Sequence, residues 1–120
     1  MAINSKRKGK TGELELARKL KEYGYGEARR TNQYCGNTGD ASDVVGLPGI
    51  HIECKRTESL RLYDAIDQAK RDSEGNGRIP VVFHRKNHCE WVAILPLDDF
   101  MKIYAEYEAG FELAEKEKTR

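Results

Sequence analysis

Hydrophobic positions change period several times along this chain, and each change predicts a new element. Leu16, Ala17 and Leu20 recur at helical spacing and predict a helix over 9–23. Glu27–Tyr34 reads as a strand, followed by a polar loop over Cys35–Ser42 rich in Gly, Asn and Thr. Asp43-Val44-Val45-Gly46-Leu47 is a short apolar run that predicts a buried strand, and Leu47-Pro48-Gly49 predicts a turn. Ile50–Lys55 then alternates, which makes the pair a hairpin with Ile50, Ile52 and Cys54 on one face and His51, Glu53 and Lys55 on the other. A helix over Leu60–Ser73 follows, with Ser59 as its expected N-cap. Ile79–His84 and Trp91–Leu95 are further strands, and Leu97 to about Tyr107 reads as a helix beginning near Pro96. The order αβββαββα predicts an α/β sandwich with a central mixed sheet flanked by helices.

With 120 residues the chain is expected to form one domain, here residues 1–111, with 112–120 as a charged tail of alternating sign, an exposed or frayed helix. It is 38% hydrophobic and 34% charged, and no apolar run has the length of a membrane span or secretory core, so a cytoplasmic location is expected. Cys35, Cys54 and Cys89 lack CxxC spacing and are expected to be reduced thiols. The formal net charge of +1 hides an asymmetry. Residues 1–60 hold eleven Lys and Arg against eight Asp and Glu, whereas residues 61–120 hold ten against twelve. The excess comes from Lys6, Arg7, Lys8, Lys10, Arg29, Arg30, Lys55 and Arg56, a local basic surface compatible with nucleic-acid contact.

The candidate chemistry lies in the hairpin. Asp43 is brought near Glu53, and Lys55 stands beside Glu53 on the same face. Two carboxylates and an ammonium gathered there can hold a hard divalent cation next to a phosphate. Glu13 adds a third acid: it lies three, four and seven residues before Leu16, Ala17 and Leu20, so it faces inward with the apolar stripe, where an unpartnered carboxylate is costly. Glu15 differs, with Arg18 and Lys19 at i+3 and i+4 as helix-surface partners.

Lys8-Gly9-x-x-x-Glu13, Arg30, the loop containing Gly36, Asp43-Val44-Val45 and Ile52-Glu53-Cys54-Lys55 together resemble the archaeal-type Holliday junction resolvases of the PD-(D/E)XK nuclease superfamily, which have the restriction-endonuclease-like fold. Similar small proteins occur among phage and prophage genes. The resemblance spans about residues 6–85. It implies that Asp43 and Glu53 are the principal metal ligands, with the backbone carbonyl of Cys54, and that Glu13 completes the acidic cluster directly or through water. It implies that Lys55 orients or activates the attacking water, that Gln68 lies beside the metal site, and that Arg30 and the loop to Gly39, Thr38 included, contact the DNA backbone. The implied cofactor is Mg2+, with Mn2+ as a substitute.

The chain departs from that pattern at two places. Cys35 stands where a small hydroxyl residue is common, with Thr38 or Ser42 as replacements, and Ser42 stands where proline usually precedes the first aspartate. Asp40 competes with Asp43, which is preferred because it abuts Val44-Val45. His84, His88 and Cys89 lack a second ligand pair for zinc. His51 is expected at an edge or in a structural role, Trp91 in the core or a dimer interface, and Tyr63, Tyr104 and Tyr107 as packing residues. The expected activity is metal-dependent endonucleolytic cleavage of DNA, resolving four-way junctions as a homodimer, since a junction presents two symmetric strands. The alternatives are a related nuclease cutting flaps or duplex ends in phage replication or packaging, and a DNA-binding module without catalysis.

Overall fold

A computed structural model describes residues 5–31 and 42–119, with side chains from residue 9 onward. Helix α1 covers Ser5–Glu22, and five strands follow: β1 Arg29–Arg30, β2 Val44–Val45, β3 Ile50–Arg56, β4 Ile79–Arg85 and β5 Val92–Ile94. Helix α2, Leu62–Ser73, lies between β3 and β4, and helix α3, Leu97–Lys118, follows β5. The strands lie in the order β1-β2-β3-β4-β5. All neighbours are antiparallel except β3 and β4, which are parallel over seven residue pairs from Ile50↔Ile79 to Arg56↔Arg85. A parallel pair needs a crossover, and α2 supplies it.

The alternation of β3 is resolved into two different layers. Its even residues face α1, where Leu16, Leu20, Ala28, Val44 and Ile52 form a core joined by Ile50, Cys54 and Phe83. The opposite sheet face packs Val82 against Ala65 and Ala69 of α2, with Ile94 at its margin. Pairing Glu53 with Val82 puts Glu53 under α2 rather than toward solvent. This α/β sandwich, a mixed five-stranded sheet with helices on its faces, is the one expected from the order of elements, and it is consistent with the restriction-endonuclease-like fold that the resemblance implies. Fully burying a Leu or Ile in these layers stabilises the fold by roughly 1.5–3 kcal/mol each.

Two glycines set close approaches. Gly12 brings α1 onto β3, and a Cβ there would lie 2.4 Å from the Arg56 Cβ. Gly46 has φ +121° and would meet the Ala28 Cα at 2.4 Å, so the β2–β3 turn needs glycine for both conformation and space.

Several local expectations change. Helix α2 begins at Leu62 with Arg61 as its extended N-cap residue, and no side chain caps it, so Ser59 is not the cap. Helix α3 runs without interruption through position 111 to Lys118, 22 residues that bury none of their side chains. Tyr63, Tyr104 and Tyr107 are correspondingly exposed rather than packed, at 79%, 42% and 67%. Glu15 pairs with Arg56 and Arg85 on the sheet instead of Arg18 and Lys19 on its own helix. No helix among the described residues is long and apolar enough to cross a membrane.

Candidate active site

The hairpin delivers Asp43 to the end of β2, opposite Glu53. Val44 pairs with Ile52, and the Asp43 N–H donates to the Ile52 carbonyl at 2.9 Å. Asp43 is anchored on its other side by Thr31, the residue after β1, whose N–H donates to its carbonyl at 3.1 Å. The Thr31 hydroxyl also donates to the Ser42 carbonyl at 2.5 Å, fixing the segment that enters β2. The Asp43 carboxylate then accepts the Cys54 N–H through Oδ2 at 2.8 Å. Side chain and strand are thereby locked together just where Glu53 and Lys55 emerge.

Glu53 is the most unusual group in the molecule. It is 1% exposed, its Oε1 lies 2.8 Å from His51 Nε2, and its Oε2 is buried with no hydrogen-bond partner among the described residues. A buried acceptor left unsatisfied costs on the order of 1–3 kcal/mol, and more when charged. Burial pushes the Glu53 carboxyl up to about 7. His51 opposes the shift by hydrogen bonding, while the charge of Asp43 adds to it. A divalent cation would reverse this penalty by giving the orphan oxygen a partner and the charge a counterion, so the donor set fits a metal.

Glu13 approaches from α1. Its carboxylate accepts a hydrogen bond from Arg30 Nε at 2.5 Å, yet burial still raises its pKa, with Asp43 adding to the rise and Arg30 working against it. Asp43 therefore acts electrostatically on both other acids. Cys54, between Asp43 and Lys55 in this environment, has its thiol pushed far up, first by burial and then by Asp43. It is an inert, protonated packing residue.

Lys55 points toward α2, where its Nζ donates to Gln68 Oε1 at 3.1 Å. Gln68 thus holds the ammonium on the face that Glu53 shares. Arg56 turns the other way: it contacts Glu15, the Arg85 carbonyl and Asn87, tying α1 to β3 and the β4–β5 connection. Lys10 and Arg29 are exposed, whereas Arg30 is held by Glu13. Thr38, Cys35 and Asp40, with the rest of 32–41, lie outside the described residues. So do the side chains of Lys6, Arg7 and Lys8, which fall in the first turns of α1.

Asp43, near enough to act on both Glu13 and Glu53, rests on the Cys54 amide, and Glu13 rests on Arg30, two protein donors that relieve repulsion between the carboxylates. Among the described residues, donor atoms of His51, Glu53 and Asp72 also converge, all within 4.8 Å of one another. His51 is fully buried between Ser42 Oγ, 2.9 Å from its Nδ1, and Glu53. Its alternation with Glu53 already placed both on one face. Asp72 was missed, although it lies four residues after Gln68 and hence on the same side of α2.

A family model described as "Phage putative PDDEXK endonuclease" matches residues 4–119, nearly the whole chain. Comparison with curated proteins gave no match, and comparison with solved structures gave none. The matched span includes Glu13, the Asp43 hairpin, Glu53-x-Lys55 and both flanking helices. The fold and the hairpin chemistry agree with it, and the chain belongs to the phage PDDEXK endonuclease family of the PD-(D/E)XK superfamily.

Proposed function

We propose that the protein is a divalent-metal-dependent DNA endonuclease that cuts branched DNA, with four-way junctions as its preferred substrate. The observation that carries the hydrolytic part is Glu53: a wholly buried carboxylate with one oxygen unsatisfied, opposite Asp43 and two residues before Lys55. A site of this kind is destabilising unless a cation uses it. Asp43 and Glu53, with the Cys54 carbonyl, are the residues to hold the ion, Mg2+ first and Mn2+ as a substitute, while Glu13 supplies further negative charge from α1. The ion, when bound, supplies a water of lowered pKa and a clamp for charge on the phosphate.

The chain's own residues do the positioning. Gln68 restrains the Lys55 ammonium, a compact charge with mobile donors suited to orienting a water against the phosphate. Asp43 is kept in place by Thr31, β3 and the Cys54 amide, so the acid carries little rotameric freedom. The exposed Arg29 and Lys10 offer charge for phosphate contacts that position the DNA backbone without reading sequence, and the sequence adds Lys6, Arg7 and Lys8 as further candidates.

The branched substrate is supported by the motif resemblance and by α3. This helix carries Leu97, Phe100, Tyr104, Tyr107 and Phe111 at alternating spacings of three and four, all at least 42% exposed. That is a heptad seam. Met101 and Ile103, also exposed, flank this seam and widen the apolar strip that a second copy could cover. A two-fold pairing of α3 would give the two active sites that symmetric cleavage requires. The test is to map cuts on labelled four-way junction, flap, linear duplex and single strand. Paired symmetric nicks in the junction support a resolvase. Cleavage confined to flaps or ends moves the function to replication or packaging, and binding with no cleavage at all refutes the nuclease reading.

A further inference from the structure

Beneath α2, three donor side chains converge. His51 and Glu53 project from β3 at i and i+2, and Asp72 comes from the last turns of α2. One donor atom from each lies within 4.8 Å of the other two. His51 is 0% exposed and Glu53 1% exposed, and Asp72 is half-buried at the margin. Glu53 enters this cluster half-satisfied, with one oxygen on the imidazole and the other without a partner among the described residues.

We infer that His51, Glu53 and Asp72 form a second cation site, selective for a transition-series divalent ion such as Mn2+, Co2+ or Zn2+ over Mg2+. The selectivity follows from the donor set. Mg2+ favours oxygen ligands and retains its waters, whereas an imidazole nitrogen with two carboxylates suits the later ions. The support around the imidazole is already built. Ser42 Oγ sits 2.9 Å from Nδ1 and Glu53 Oε1 lies 2.8 Å from Nε2; with the ring proton on Nδ1, Ser42 would accept it and the Nε2 lone pair would be free for a cation. A hydrogen-bond acceptor of this kind behind a metal-ligating histidine fixes both tautomer and ring orientation. The cation takes the place of the hydrogen between Nε2 and Oε1, and the third donor comes from Asp72. Coordination by Asp72 would also tie the C-terminal end of α2 to β3. The site goes beyond the proposed hydrolytic reading. It shares Glu53 with that reading but needs neither Asp43 nor DNA, and it stands or falls independently of cleavage.

The test titrates the full-length protein with Co2+, Mn2+ and Mg2+ by calorimetry, following Co2+ also through its visible absorption. The variants are Asp72→Asn, His51→Gln and Asp43→Asn, each checked for folding by circular dichroism. We expect Co2+ to bind at least about tenfold more tightly than Mg2+, on the scale of effects seen when metal-site partners are changed. That preference should disappear in Asp72→Asn and His51→Gln and persist in Asp43→Asn. If His51→Gln fails to fold, Asp72→Asn decides, since its side chain lies at the half-buried margin. Equal affinity for Co2+ and Mg2+, or undiminished Co2+ binding in Asp72→Asn, overturns the site. Loss of Co2+ binding in Asp43→Asn with retention in Asp72→Asn also overturns it, and places the cation with the hydrolytic acids instead.

Discussion

Glu53 concentrates the tension between stability and function in one side chain. Its carboxyl is raised from 4.5 to about 7 by burial first, against the opposing hydrogen bond of His51. In the native state it therefore holds its proton more tightly than in the unfolded chain. The stability it contributes is fully present below pH 4.5 and is lost as pH rises through about 7. Replacing it by Gln removes the ionisation but keeps the shape, so Glu53→Gln should melt close to the wild type at pH 5 and higher than metal-free wild type at pH 8. The difference should be on the order of 1–3 kcal/mol, read from urea midpoints at the two pH values. A variant equally or less stable at pH 8 would show that the buried charge carries no penalty. Much of this site is legible residue by residue: helical spacing turned Glu13 inward, and alternation put His51, Glu53 and Lys55 on one face. The pairing of Glu13 with Arg30, 17 positions away, is not legible, because such a partner depends on where β1 lies beside α1 rather than on local spacing.

At the scale of elements, the hairpin is where sequence and structure agree most closely. The short apolar run, the turn residues and the alternation all specify the same register, and a one-residue slip would reverse every side chain of β3. The ion pairs of Glu15 show the opposite case. Arg18 and Lys19 satisfy helical spacing, but Arg56 and Arg85 reach Glu15 from the sheet, and those contacts follow from tertiary packing alone. The packing of α1 on β3 through Gly12 gives a second prediction. Alanine would ordinarily favour a helix by about 1 kcal/mol over glycine. Here its Cβ would lie 2.4 Å from the Arg56 Cβ, close to the backbone of a strand that cannot yield freely. Gly12→Ala should therefore destabilise the protein by about 1–3 kcal/mol in chemical denaturation. An unchanged or raised midpoint would mean that α1 can lift from the sheet without loss.

For the whole molecule, the long axis of 65 Å against 34 and 28 Å reflects a sandwich from which α3 extends. The exposed helical character of the tail from Glu112 was legible from its alternating charge, but its continuity with the helix from Leu97 was not; helix formers with i,i+3 pairs such as Glu115–Lys118 carry the helix through. If the exposed seam joins two copies, Tyr107→Lys with Phe111→Glu should convert a dimer to a monomer in light scattering while leaving the melting of the sandwich nearly unchanged. A wild-type chain that is already monomeric at micromolar concentration would refute the α3 dimer. Metal-dependent hydrolysis by the Asp43–Glu53–Lys55 hairpin does not depend on that pairing. The most direct measurement compares wild type, Asp43→Asn and Glu53→Gln for cleavage and for binding of a labelled four-way junction, in Mg2+ and in EDTA. Wild type should cleave in Mg2+ alone, and both variants should lose about a hundredfold or more of that activity while retaining binding. Cleavage that persists in EDTA, or at wild-type rates in either variant, would contradict metal-dependent hydrolysis by this hairpin.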